Sequence, residues 1–190
     1  MQQTLRAFVA VMVPDEVAVF LRQIQAQVQL PGMNTRWVAT KNIHLTLKFL
    51  GDIDSSRVPE VAAQMDAAAG MIGPFLLAAK GVGVFPNLRR ARVLWVGLAG
   101  DLDRLNAIQA TLESGMESIG FRREARNFGA HLTIGRIRHW TDAKMIAASL
   151  DQLKDVASDG FHVDRLVLFK SILKPNGAEY SLLHTSHLAI

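Results

Sequence analysis

The sequence predicts an α+β chain with two related lobes facing each other, on three observations. Apolar runs of strand type alternate with segments of helical period. A histidine and a threonine spaced one apart occur twice in similar aliphatic frames, as Ile43-His44-Leu45-Thr46-Leu47-Lys48 and as Ala130-His131-Leu132-Thr133-Ile134-Gly135. No low-complexity linker separates the halves.

Leu5 to Val13, rich in β-branched and aromatic residues and stopped by Pro14, reads as a buried strand. Asp15 opens a helix whose Val17, Phe20, Leu21, Ile24 and Val28 recur at helical spacing, and Pro31-Gly32 ends it. A short strand around Trp37-Val38 precedes the first His-Leu-Thr segment, after which Gly51-Asp52 reads as a turn. From Arg57 to Ala69 a second helix turns Val58, Val61, Ala62 and Met65 inward. Phe75 to Val84 and Val93 to Leu98 read as strands joined by Phe85-Pro86-Asn87-Leu88-Arg89-Arg90, whose Pro-Asn pair marks a turn. Leu102, Leu105, Ile108, Leu112, Met116 and Ile119 predict a helix from Asp101 to Ile119, weakened slightly by Gly115. The second His-Leu-Thr strand follows. Thr141-Asp142 then opens a helix through Leu153, and Val163 to Leu173 pairs with Tyr180 to Leu188 as a hairpin across Pro175-Asn176-Gly177. The two His-Thr strands occupy corresponding places, each followed by a helix, which is the pattern of a duplication.

At 190 residues and 49% hydrophobic, the chain can bury a substantial core, which excludes a disordered protein. No apolar run approaches the roughly 20 residues of a membrane-spanning helix, and the first residues lack the pattern of a secretory leader, so the expected location is cytoplasmic. With no cysteine, thiol nucleophiles, disulfides and thiolate metal sites are excluded. A formal charge of +4 suits an anionic substrate.

Side chains alternate along a strand, so His44 and Thr46 share one face while Leu45 and Leu47 take the other, and His131 and Thr133 oppose Leu132 and Ile134 in the same way. If the two strands face across a cleft, two imidazoles and two hydroxyls converge. That inventory suits attack on a phosphodiester: one neutral imidazole takes a proton from the nucleophile and one imidazolium gives a proton to the leaving oxygen. The hydroxyls can donate to non-bridging oxygens, where charge accumulates. One His-x-Thr pair alone would read as a structural histidine with a local hydrogen bond; the repeated frame makes the functional reading the stronger. Zinc at His44 and His131 lacks a third ligand at suitable spacing, and His139, His162, His184 and His187, outside any repeated frame, read as surface or structural residues.

The chain resembles the 2H phosphoesterase superfamily, and within it the RNA 2′,3′-cyclic phosphodiesterases also called 2′-5′ RNA ligases. The residues that carry the resemblance are Arg6-Ala7-Phe8-Val9-Ala10, Trp37-Val38, Asn42 through Asp52, Gly81 through Asn87, Ala91 through Trp95, His131 through Arg136, and Ser171 through Tyr180. It implies a bilobal, pseudo-twofold duplicated α+β fold, with two antiparallel-rich sheets facing a central cleft and helices outside, in one domain spanning 1-190. It further implies catalysis by His44 and His131 as general acid and base, phosphate held by Thr46 and Thr133, and substrate contacts from Phe49 and Arg136. Strict alternation puts Phe49 and Arg136 on the face opposite the histidines, so these roles need a bulge or a strand end just before them. Relatives commonly carry proline where this chain has Ala130, a change that loosens the backbone there without removing a chemical group.

The expected function is metal-independent hydrolysis of RNA 2′,3′-cyclic phosphate ends to 2′-phosphates, with His131 as base for water and His44 as acid for O3′. The alternatives are the reverse reaction, ligation of a cyclic end to a 5′-hydroxyl, and a non-catalytic nucleotide or RNA binder. The expected partner is such an RNA end or a small cyclic nucleotide, with no cofactor, no metal, no membrane and a monomeric chain. Arg89, Arg90 and Arg92 read either as a solvated face or as a landing strip for the RNA backbone. Trp37, Trp95 and Trp140 read as core residues or as base-stacking platforms.

Overall fold

The computed structural model describes residues 3–139, 142–174 and 177–189. In chain order its elements are β1 (Thr4–Met12), α1 (Asp15–Val28), β2 (Asn34–Trp37), β3 (His44–Asp54), α2 (Val58–Ala69), β4 (Phe75–Phe85), β5 (Val93–Gly100), α3 (Leu102–Ser118), β6 (His131–His139), α4 (Ala143–Gln152), β7 (Phe161–Val163), β8 (Arg165–Lys174) and β9 (Gly177–His187). Short 3₁₀ turns occupy Thr40–Asn42, Ser55–Arg57 and Leu88–Arg90.

Local chemistry accounts for the helix starts. Asp15 and Glu16 place negative charge in the first turn of α1. Pro59 stands near the start of α2, where its missing N–H costs no hydrogen bond, and Asp142 caps α4 by accepting from the Lys144 N–H at 2.8 Å. The buried stripes are Val17, Leu21, Ile24 and Val28 on α1 and Leu105, Ile108, Leu112 and Met116 on α3. Gly115, expected only to weaken α3, sits where α3 meets α2: a Cβ there would lie 2.8 Å from Gln64 Oε1.

Among the described residues nine strands form one strongly curled antiparallel sheet in the order β7-β4-β5-β6-β3-β1-β8-β9, with β2 pairing to β6 off that path. Its two sides are not the two consecutive halves of the chain: β2 and β4 of the first half join β6 and β5, and β8 and β9 of the second half join β1. β3, β1 and β8 on one side match β6, β5 and β4 on the other, and the two sides join where Leu45 pairs with Leu132. Each of these leucines is the central residue of a His-Leu-Thr motif, so the pseudo-twofold axis runs between the repeats. One face of the sheet is covered by the helices, whose stripes merge with Ala7, Val9, Val11, Leu45, Leu94 and Leu132 into one core. The other face is open and carries a small cluster of Phe8, Ala10 and Val167, with Phe169 and Tyr180 against it.

The predicted turn at Gly51-Asp52 is instead strand. β3 continues to Asp54, and Gly51, at φ +71°, absorbs an irregularity in its pairing with β1, a conformation glycine adopts without steric cost. β7 was not anticipated, since three residues are too few to show a period. β8 and β9 pair from Arg165 with His187 to Lys174 with Gly177, while Trp140, Thr141 and the Pro175-Asn176 part of the predicted hairpin lie outside the described residues.

Lys48 in β3 is buried on the helix-covered face. Its Nζ donates to Glu113 Oε1 at 2.5 Å and to the Arg122 carbonyl at 2.7 Å, while the same Glu113 oxygen accepts the Glu124 N–H at 2.7 Å. The pair thereby pins the segment between α3 and β6. Replacing Glu113 by Ala strands a buried ammonium and should cost about 3–5 kcal/mol in urea unfolding, whereas the Lys48→Met/Glu113→Leu double variant should recover most of that loss.

Candidate active site

The antiparallel pairing of Leu45 with Leu132 dictates what surrounds it on the open face. Extending the register by one residue sets His44 across from Thr133 and Thr46 across from His131. The two histidines are then diagonal neighbours, whose backbone positions in an ordinary antiparallel ladder lie about 7–8 Å apart. The four predicted motif residues are all partly buried, while the leucines between them are fully buried.

Both imidazoles are held in the same way. His44 Nδ1 lies 2.8 Å from the Asn42 carbonyl and His131 Nδ1 2.6 Å from the Gly129 carbonyl, in each case two residues upstream. A carbonyl only accepts, so Nδ1 carries the hydrogen in both rings and Nε2 is left for chemistry. The Asn42 side chain in turn donates to the Ala178 carbonyl at 2.9 Å, tying the first histidine's support to β9.

The environments of the two rings differ. Phe8 stacks on His44 at 4.7 Å and Tyr180 meets it edge-on at 5.2 Å, beside a cavity of about 220 Å³ lined by Met12, Lys41, Asn42, His44, Phe169 and Tyr180. Burial pushes the His44 pKa below the ordinary 6.5, more than the Asn42 hydrogen bond raises it. His131 meets one ring edge-on, Phe85 at 5.0 Å, which itself lies against Trp95. Trp95 lies flat over β4: a Cβ on Gly83 would collide with the Trp95 ring, so only glycine leaves it room.

Phe49 and Arg136 reach the open face through matching irregularities. The β1–β3 register skips Leu47, pairing Ala10 with Thr46 and Val9 with Lys48, and the β5–β6 register skips Ile134, pairing Trp95 with Thr133 and Leu94 with Gly135. Each bulge reverses the alternation, so Lys48 and Gly135 turn to the helices while Phe49 and Arg136 turn to the side of the histidines. Phe49 lies 6.2 Å from Phe8 and is 57% exposed; Arg136 is exposed and close enough to act on the Tyr180 phenol. The bulge carbonyls are held from below. Gln25 of α1 donates to the Ile134 carbonyl at 2.9 Å and Gln109 of α3 to the Leu47 carbonyl at 3.4 Å.

Sequence reasoning missed Phe8, Phe169, Phe85 and the two glutamines as neighbours of the site. Phe8 and Phe169 lie in runs where both faces read as apolar, and nothing local marks a glutamine that serves a distant strand. Trp37 packs on the helix-covered face with its Nε1 donating to Gln29 at 3.0 Å, whereas Trp95 is half-buried on the open face. Arg89, Arg90 and Arg92 are exposed on the loop that follows Phe85. A second, open groove of about 520 Å³ between α2 and α3 carries no titratable side chain. Among the described residues no group of three or more His, Cys, Asp or Glu side chains could hold a metal ion, and no helix is long and apolar enough to cross a membrane.

Comparison with known proteins agrees with this duplication. Residues 11–95 and again 96–180 match the family described as LigT like phosphoesterase. An RNA 2′,3′-cyclic phosphodiesterase of Methanocaldococcus jannaschii is 30% identical over 179 residues, 94% of this chain and 98% of that protein. One of Thermotoga maritima is 31% identical over 182 residues, 95% and 94% of the two chains. The crystal structure of TT0787 of Thermus thermophilus superposes with a TM-score of 0.81 at 26% identity, covering 96% of this chain and 97% of that one.

The depressed pKa of His44 has a direct consequence for stability. Below 6.5 the unfolded chain binds a proton that folded His44 resists, so the stability this residue contributes is full above 6.5 and is lost as pH falls toward the folded value. An NMR titration of the imidazole nitrogens should show His44 titrating below 6.5, with the neutral ring protonated at Nδ1.

Proposed function

This chain belongs to the LigT-like phosphoesterase family, and from that premise we propose that it hydrolyses 2′,3′-cyclic phosphate ends of RNA to 2′-phosphates without a metal ion. The observation that carries the reading is the pair of imidazoles on one face, each with Nδ1 fixed by a backbone carbonyl and Nε2 left for proton transfer. Relatives at about 30% identity over nearly the full chain bear the name RNA 2′,3′-cyclic phosphodiesterase.

In this mechanism the cyclic phosphate sits between the rings, its non-bridging oxygens accepting hydrogen bonds from the Thr46 and Thr133 hydroxyls. His131 Nε2 takes a proton from water as the water oxygen bonds to phosphorus. The bond from phosphorus to O3′ breaks, and His44 Nε2 gives its proton to that oxygen, leaving a 2′-phosphate and a 3′-hydroxyl. Burial makes the His44 cation a stronger acid, and the phosphate anion supplies the charge that favours loading it. Arg136 adds positive charge at the open side of the phosphate, and the exposed Phe49 ring offers a surface on which a base can stack.

Purified protein assayed in chelator on a short RNA with a 2′,3′-cyclic end should yield a 2′-phosphate; loss of activity in chelator, or a 3′-phosphate product, would refute the proposal. His44→Ala and His131→Ala should each lower kcat by about 10²–10⁴-fold. A substrate with sulfur in place of O3′ needs little protonation on leaving, so it should restore turnover to His44→Ala and not to His131→Ala. The opposite pattern reverses the two roles.

A further inference from the structure

The loop between β4 and β5 carries three arginines that the proposed reaction does not use. Arg89, Arg90 and Arg92 are exposed, as is Arg138, which the β2–β6 ladder skips. Elsewhere exposed cations rest on carboxylates, Arg123 on Glu117, Lys154 on Asp151, Arg165 on Asp164 and Lys174 on Glu179. Among the described residues none of these four arginines forms such a pair. Their own strands supply no acid either, since residues 81–100 and 125–139 contain no aspartate or glutamate. A merely solvated surface interleaves both signs, and a stretch of one sign has an anion as its complement.

The loop is fastened where it leaves the cleft. Asn87 Oδ1 accepts the Arg90 N–H at 3.1 Å, the Arg92 N–H donates to the Phe85 carbonyl at 2.7 Å, and the Arg92 carbonyl accepts the Ile137 N–H at 2.9 Å. Its guanidinium groups therefore stand on a backbone that is ordered before any ligand arrives. Phe85, where the loop begins, turns to the His131 ring edge-on at 5.0 Å. In the ladders Phe85 pairs with Val93 and Val93 with Arg136, so the loop lies past the row of Arg136, on the side away from Thr133. Arg138 lies past that row as well. An RNA that ends in a 2′,3′-cyclic phosphate continues only on its 5′ side, so all its other phosphates leave the cleft along one path.

We propose that Arg89, Arg90, Arg92 and Arg138 form that path, a track for the phosphate backbone upstream of the cyclic end, so that the protein selects the ends of RNA chains over free cyclic mononucleotides. The inference rests on the phosphodiesterase reading for the seat of the terminal phosphate; the new element is the track, which contacts phosphates and reads no base. Arginine suits it, because the guanidinium offers parallel donors to phosphate oxygens and stays charged at any working pH.

The test measures binding of a short single-stranded RNA ending in a 2′-phosphate, and of adenosine 2′-monophosphate, over a series of potassium chloride concentrations. The proteins are the wild type, the Arg89→Gln/Arg90→Gln variant and, as a control, Arg104→Gln, which removes a charge from α3 on the helix-covered side. The wild type should bind the RNA more tightly than the mononucleotide and with a steeper dependence of log affinity on log salt. In the double variant the RNA slope should fall by about 0.7 for each phosphate contact removed, and in Arg104→Gln it should stay as in the wild type. Equal slopes for RNA and mononucleotide in the wild type, an unchanged RNA slope in the double variant, or an equal fall in the control overturns the track. A wild type that shows the expected slopes but opens no cyclic end refutes the phosphodiesterase reading alone. One that opens cyclic ends while the double variant keeps the wild-type slope refutes this inference alone.

Discussion

Leu45 and Leu132 pair at the centre of the sheet, and the composition of the open face follows from that contact. Because the strands run antiparallel, the residue before one leucine faces the residue after the other, so each histidine is set beside the threonine of the opposite repeat. A slip of one residue would turn one whole motif toward the helices, exchanging its polar pair for its aliphatic pair. The full burial of both leucines resists such a slip, since it would expose them and bury imidazole and hydroxyl groups instead.

Strict alternation would turn Lys48 and Gly135 to the open face and Phe49 and Arg136 away from it. The bulges at Leu47 and Ile134 reverse this and recruit Phe49 and Arg136. The long helices donate side-chain amides to the Leu47 and Ile134 carbonyls in a crossed arrangement, the Ile134 carbonyl also accepting the Val38 N–H at 3.0 Å: α1, which follows β1, contacts β6, and α3, which follows β5, contacts β3. Each half thus supports the bulge of the other, which binds the two repeats into one unit beneath the cleft. The repeats part where the reversed side chain meets the helix. Lys48 finds Glu113 of α3, whereas the equivalent Gly135 makes room for Trp37, whose indole donates to Gln29 at the C-terminal cap of α1.

The same duplication gives its two imidazoles unequal surroundings. Phe8 and Tyr180 enclose His44 and disfavour its cation, while His131 has Phe85 on one side. The lowering at His44 comes from its burial among the aromatic residues that the flanking strands supply rather than from the motif itself. Glycine plays a part in that choice: Gly83 lets Trp95 lie against its strand and back the Phe85 ring.

The sequence determined the periods of the helices and strands, the duplication, and the two polar pairs at 44, 46, 131 and 133, because these are matters of local spacing and the repeat is written in neighbouring letters. The resemblance added that the roles it implies for Phe49 and Arg136 need a bulge or a strand end, since alternation alone puts both on the face opposite the histidines. Tertiary structure decided where the bulges fall, since Leu47 and Ile134 look like ordinary apolar strand residues and only the partner strand shows that they are skipped. It likewise decided that Gly51 continues a strand, that Lys48 is a buried partner of Glu113, and that Arg36 stands opposite Arg136. Each of these depends on a group distant along the chain, and a local pattern holds no record of which distant group the fold brings near.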